Sequence, residues 1–191
     1  MKEAKSFVGT CVDPCPRFER IQRAFERNVD QLEIDDRGNF GLHTAFKSFH
    51  RPAAGNEEQI PSDVRPPPIL EATLNLLWSR FLDNQLPLST THPFIRDRTR
   101  SIRQDFTVQN YSGREAITCH EQIARFHILC IHQLIEQENF SLHQELEQLR
   151  KVLVSLNEFY DDARKKGEEY DTEPEFRAYS VSYSVLMRSF C

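Results

Sequence analysis

Glycine is scarce, with six among 191 residues. No stretch shows the period-two alternation or the β-branched density of strands, which argues against a sheet-based fold. No apolar run approaches the roughly 20 residues that a membrane helix requires. Residues 1–10 lack the apolar core of a secretory signal, so neither a membrane protein nor an exported one is expected. The five cysteines are odd in number and widely spread, which is no disulfide framework. They read as reduced thiols of the nucleus or cytosol. Positive charge is not in excess either: 24 Lys and Arg stand against 29 Asp and Glu. Through residue 110 the two signs balance at 15 each, and from residue 111 onward 9 face 14, which is the whole net of −5. A free-standing nucleic-acid binder carries a basic excess that releases phosphate counterions. Here such binding has to come from a local patch or from a partner.

Helical periodicity fills what remains. Ala116, Ile117, Ile123, Ala124, Ile128, Ile131, Leu134 and Ile135 follow the three-and-four spacing of one buried face over 115–137. Ser112, with Glu115 three residues on, is positioned as a capping box. A second helix over 142–166 carries Leu142, Leu146, Leu149, Val152, Leu153, Leu156, Phe159 and Tyr160. Gly167 stands where a helix C-terminus favours positive φ. The short polar link between the two predicts an antiparallel hairpin.

Asp13-Pro14 predicts a helix start, with Phe18, Ile21, Phe25 and Val29 on its buried face. Pro66-Pro67-Pro68 launches a helix over 69–83 with Leu70, Leu74, Leu77, Trp78 and Phe81 inward. The run 94–106 places Ile95, Ile102 and Phe106 inward. Pro174 opens a last helix, with Phe176, Tyr179, Val181, Tyr183 and Leu186 as candidates for burial. Residues 35–65 read as loops around a short helical piece. Paired helices without a strict repeat predict an all-α fold of stacked antiparallel hairpins, an α-solenoid. One helical-repeat domain over 1–191 is expected, incomplete at its C-terminus because the aromatic-bearing last helix simply ends.

Metal and catalytic signatures are weak. Cys11 and Cys15 have ligand spacing but no second pair at finger distance, and Cys119, His120, His127, Cys130 and His132 do not share one helical face. Core thiols and imidazoles are the simpler reading. No G-x-S-x-G, phosphate loop or H-E-x-x-H occurs, so a non-enzyme with no cofactor and no metal is expected. The one concentrated charge feature is Arg96, Arg98, Arg100 and Arg103 within residues 94–106. Arginine forks hold phosphate or carboxylate bidentately, which makes these four candidate contacts for RNA or an acidic partner. Absorption by Asp97, Asp105 and neighbouring carboxylates is the favoured alternative. Arg17, Arg20, Arg23 and Arg27 could extend a basic patch, but they alternate with Glu19 and Glu26.

Several ordered motifs resemble the Sac-three/GANP family of mRNA-export scaffolds. Gly9-Thr10-Cys11 with Asp13, Cys15-Pro16 and Glu19-Arg20 is similar to the family's opening motif, as is Arg51-Pro52-Ala53-Ala54-Gly55 with Arg65-Pro66. Most specific is Asp97-Arg98-Thr99-Arg100-Ser101-Ile102-Arg103-Gln104-Asp105-Phe106. Arg125-Phe126-His127-Ile128-Leu129 and residues 144–149 follow in order. The resemblance implies the helical front half of a PCI-type domain, without the winged helix, in which Cys11, Asp13, Cys15, Pro16, Arg51, Gly55, Asp105 and Phe106 are structural. It further implies a PCI-type protein and a small acidic proteasome-lid-like subunit as partners, and RNA contacted as part of a complex. The implied location is the nucleus, at the nuclear envelope by the pore. A short family member with a centrosome or spindle role in the cytoplasm is the alternative.

Overall fold

The computed structural model describes residues 7–51, 60–83 and 86–189, with side chains to 185. The described residues contain no strand and form six α-helices: α1 (Arg17–Phe25), α2 (Pro67–Leu77), α3 (Leu88–Val108), α4 (Arg114–Leu134), α5 (Leu142–Lys165) and α6 (Glu173–Ser189). The chain is therefore all-α. It divides into two compact units, Met1–Tyr111 and Ser112–Cys191.

In the first unit α2 packs against α3, burying Leu70, Leu74, Leu77, Ile95, Ile102 and Phe106. Phe46, Phe81 and Phe94 form an edge-to-face triangle with centroids 5.0–6.1 Å apart, the geometry that the ring quadrupoles favour. α2 does not run on to residue 83 as its periodicity predicts. It passes into a π-helical turn, Trp78–Leu82, which keeps Phe81 inward. α3 begins six residues before its predicted start. Pro93 lies inside it, where the missing N–H leaves an exposed turn short of one hydrogen bond rather than ending the helix. Among the described residues between 31 and 65 the helical pieces are short 3-10 turns, Gln31–Glu33 and Pro61–Asp63.

α1 departs most from expectation. Phe18, Ile21 and Phe25 are 69, 57 and 88 % exposed, and the helix buries Arg23 instead. Val29 falls beyond its end. Periodicity reports that a helix has two chemically distinct faces; here the polar one turns inward.

In the second unit α4 packs along α5, and α5 along α6. His127 meets Glu145, while His120, earlier in α4, meets Phe159, later in α5. Asn157 bonds Ser180 while Arg164 reaches back to Glu173. Both pairings run antiparallel, so this unit stacks two consecutive hairpins. Its core includes Ile117, Ile123, Val152, Leu156, Tyr160 and Phe176. Ser141 caps α5 by accepting from the Gln144 N–H, and Gly167 has φ 79° as its position requires. The predicted capping box fails: Gly113 is the N-cap of α4, with no side-chain cap bond. Val181 is exposed, contrary to its predicted burial. The side chain of Leu186 lies outside the described residues.

The approach to α1 depends on one glycine. A Cβ at Gly9 would lie 2.2 Å from the Val64 carbonyl oxygen, because residues 10 and 11 bond back to Pro61 and Val64. Replacing glycine gains about 0.4–1 kcal/mol from the unfolded chain, whereas forced displacement in a packed site costs about 1–3 kcal/mol. Gly9→Ala is expected to lower the thermal midpoint; an equal or higher midpoint by circular dichroism contradicts this contact.

Candidate functional site

The motif residues converge on two buried carboxylates. Glu33, at 0 % exposure, ends the short turn that Asp30 caps through the Leu32 N–H. It accepts from both terminal guanidinium nitrogens of Arg23, from Nη2 of Arg98 at 3.0 Å and from the Phe46 N–H at 2.7 Å. Burial works against the Arg23 charge, but the Glu33 hydrogen bond and field outweigh it and raise its pKa. Arg23 also donates to the Asn28 and Phe46 carbonyls, and Arg98 lies over the Phe94 ring at 4.5 Å.

Asp105, at 1 % exposure, is the second centre. It accepts the Arg65 N–H and Nε–H, at 3.2 and 2.8 Å, and Lys47 Nζ at 2.7 Å. Arg65 continues to Ser101 Oγ and to the Pro14 carbonyl, and the Lys47 N–H bonds that same carbonyl. Gln109 closes the arrangement. Its Oε1 accepts the Gly9 N–H, and its Nε2 donates to the Arg65 and Asp105 carbonyls. Thus α3 and its C-cap Gln109 present Arg98, Ser101, Asp105 and Gln109, spaced at three or four residues, as one inward polar row. That row ties residues 9–20, 46–50 and 61–65 together.

Cys11 and Cys15 are buried and donate to the Asp13 and Pro16 carbonyls. Burial pushes both thiols up, Cys15 to about 12. Asp13 pairs with Arg20, which also holds the Cys15 carbonyl. Pro16 is the N-cap of α1, and Phe106 is buried beside Tyr111. Arg51 is exposed; Gly55 lies outside the described residues. Of the four α3 arginines Arg98 is buried, held by Asp97 and Glu33. Arg96, Arg100 and Arg103 are half-buried and each has partners, Arg100 lying 3.8 Å from the Phe49 ring centroid. Arg98, Arg23 and Asp97 also line a polar cleft of about 440 Å³ with Asn28, Ser48 and His50.

In the second unit the His120 Nδ1–H donates to the Ala116 carbonyl, and His127 Nδ1 sits 2.5 Å from Glu145. Burial raises the Cys130 thiol. Tyr160 and Thr172 both donate to Glu121.

Sequence reasoning missed Glu33 and Lys47, and read Glu19 and Arg23 as surface alternation. The available signal for Glu33 was a lone acid between Leu32 and Ile34, three residues after a capping Asp. Removing one partner of a buried ion pair strands the other and costs about 3–5 kcal/mol, whereas exposed pairs contribute about 0–1 kcal/mol. Glu33→Ala and Asp105→Ala are therefore expected to reduce unfolding free energy in urea by several times more than Glu147→Ala, which removes the exposed pair with Lys151. Equal effects contradict the two-centre description.

Comparison with known proteins agrees with these motifs. The sequence profile of the SAC3/GANP family matches residues 14–188. The chain is 55% identical over 183 residues to SAC3 family protein 1 of Schizosaccharomyces pombe, covering 95% of this chain and 18% of that protein. It is 38% identical over 192 residues to SAC3 family protein B of Arabidopsis thaliana, covering 94% and 11%. It is 32% identical over 192 residues to Protein xmas of Drosophila melanogaster, covering 95% and 9%. The chain thus spans less than a fifth of the length of these relatives. With the profile matched over nearly its whole length, and with that span containing the two buried centres, the chain belongs to the SAC3/GANP family.

Proposed function

We propose that this chain is a non-catalytic scaffold, the helical region of a nuclear assembly that couples transcription to mRNA export at the pore. In that assembly it docks a PCI-type protein together with a small acidic proteasome-lid-like subunit. Family membership supports the setting. The carrying observation is where the cations around the motif residues Arg98 and Asp105 go: Arg23, Arg65, Arg98 and Lys47 neutralise Glu33 and Asp105, and Arg23, Arg65 and Lys47 also bind backbone carbonyls. These are the bonds of a framework holding surfaces in register. Thiols raised by burial, such as Cys15 at about 12, are protonated at neutral pH and poor nucleophiles, which favours the non-catalytic reading.

RNA contact through α3 is the competing reading, and the inward turn of Arg98 disfavours it. The test is a pull-down with the tagged chain from nuclease-treated nuclear extract, read by mass spectrometry. Recovery of a PCI-type protein with a small acidic subunit is expected; recovery of neither overturns the scaffold reading. On single-stranded RNA, each phosphate contact steepens the fall of log affinity with log salt by about 0.7. A slope worth several contacts by the chain alone would favour the competing reading.

A further inference from the structure

α1 is a strongly amphipathic helix fixed with its apolar side outward. Phe18, Ile21 and Phe25 recur at three and four residues, so they share one face. The opposite face carries Glu19, Arg20 and Arg23, and each is bonded inward. Glu19 accepts from the Ser48 N–H and Oγ–H. Arg20 holds the Cys15 carbonyl and Asp13. Arg23 holds Glu33 and two carbonyls. Turning the helix to bury its phenylalanines would break all three attachments and leave Glu33 with less countercharge in a buried site, a penalty of several kcal/mol. Exposure of the apolar face is thus imposed by the polar one, and no local repacking relieves it. Spacing of i, i+3 and i+7 is also how a helix presents anchors to a groove.

The charges around the stripe indicate the occupant. Arg17 flanks it, one turn before Ile21, and Arg27 follows its end at φ 55°. Both are exposed, and neither makes a side-chain bond among the described residues. Glu26, adjacent to Arg27 in sequence, accepts from the Gln22 amide one turn back. Two cations thus bracket an apolar strip, which favours acidic groups on whatever covers it. A second copy is a poor fit. Taking about 150–250 Å² for a large aromatic, the stripe offers on the order of 400 Å². Two-fold pairing of α1 would bury about 800 Å², below the roughly 1,200–2,000 Å² of stable interfaces. An anionic bilayer is a poor fit as well. Such surfaces are recognised by clusters of about four to eight basic residues, whereas Arg20 and Arg23 are bonded inward, which leaves Arg17 and Arg27 as the two outward cations of α1 and its end. A concave protein surface wraps the helix and buries more than a flat pairing does.

We propose that the outward face of α1 is a docking element for a partner protein, with Phe18, Ile21 and Phe25 seated in an apolar groove whose rim carries acidic side chains opposite Arg17 and Arg27. This goes beyond the export scaffold reading and stands whichever assembly supplies the groove.

The test places a photoreactive benzoylphenylalanine at position 25 of the full chain, with the same label at position 158, an exposed site on α5, as reference. After irradiation in native nuclear extract, the crosslinked peptide is sequenced. The expected result is a crosslink at position 25 above the reference, in an apolar segment of another protein flanked by Asp or Glu. Adding Arg17→Glu and Arg27→Glu is expected to cut its yield about tenfold, equivalent to about 1.4 kcal/mol. Because these residues are exposed, circular dichroism of each variant is expected to keep the parent melting curve. Crosslinking mainly to a second copy overturns the proposal. So does flotation with phosphatidylcholine–phosphatidylserine vesicles that Phe18→Gln with Ile21→Gln abolishes. A yield indifferent to charge reversal, or no greater than the reference, overturns it too.

Discussion

Two carboxylates held out of water organise the first unit. Removing a carboxylate from water carries a penalty of several kcal/mol, and only close countercharge with well-formed hydrogen bonds offsets it. Glu33 and Asp105 gather Arg23, Arg98, Arg65 and Lys47 for that purpose, together with backbone N–H groups from residues 46 and 65. These donors come from α1, α3 and two loops. A segment with little regular structure is thereby given a fixed path across α3 that apolar packing alone would leave loosely specified. Tying a chain this way trades some stability for a defined arrangement.

The same constraint explains the orientation of α1. A short helix with one apolar face would ordinarily settle with that face inward. Glu19, Arg20 and Arg23 prevent it, because each is held inside by a partner from a different segment. The second unit follows the ordinary rule. Its apolar stripes face each other across α4, α5 and α6, and buried polar groups such as Tyr160 and Glu121 satisfy one another locally. Convergent ion pairs thus order the loops of one unit beside its apolar α2–α3 contact, while interlocking helical stripes build most of the other.

This contrast also sets how much was legible in the sequence. The α4–α5 hairpin was, because its apolar residues keep a sustained three-and-four period and Gly167 marks a helix end. The direction of α1 was not, since a periodic pattern says nothing of which face finds partners, and those partners lie 5 to 29 residues away. The early start of α3 was hidden by Pro93, which reads locally as a boundary. The turn at Trp78–Leu82 had no sequence signature. At the site, Arg98 and Asp105 stand out as motif residues, and Asp97 and Asp105 within the same run point to carboxylate partners for the arginines. Glu33 was invisible because a single glutamate acquires meaning only through what surrounds it in space.

The most direct measurement is a double-mutant cycle on Glu33 and Arg98, using urea unfolding at low and high salt. Buried partners in one network couple by about 0.5–3 kcal/mol, and salt screens them far less than exposed charges. Coupling of that size, unchanged by salt, is the expected result. Coupling near zero, or coupling that disappears as salt rises, would mean that Arg98 serves the surface rather than the framework, and would contradict the account.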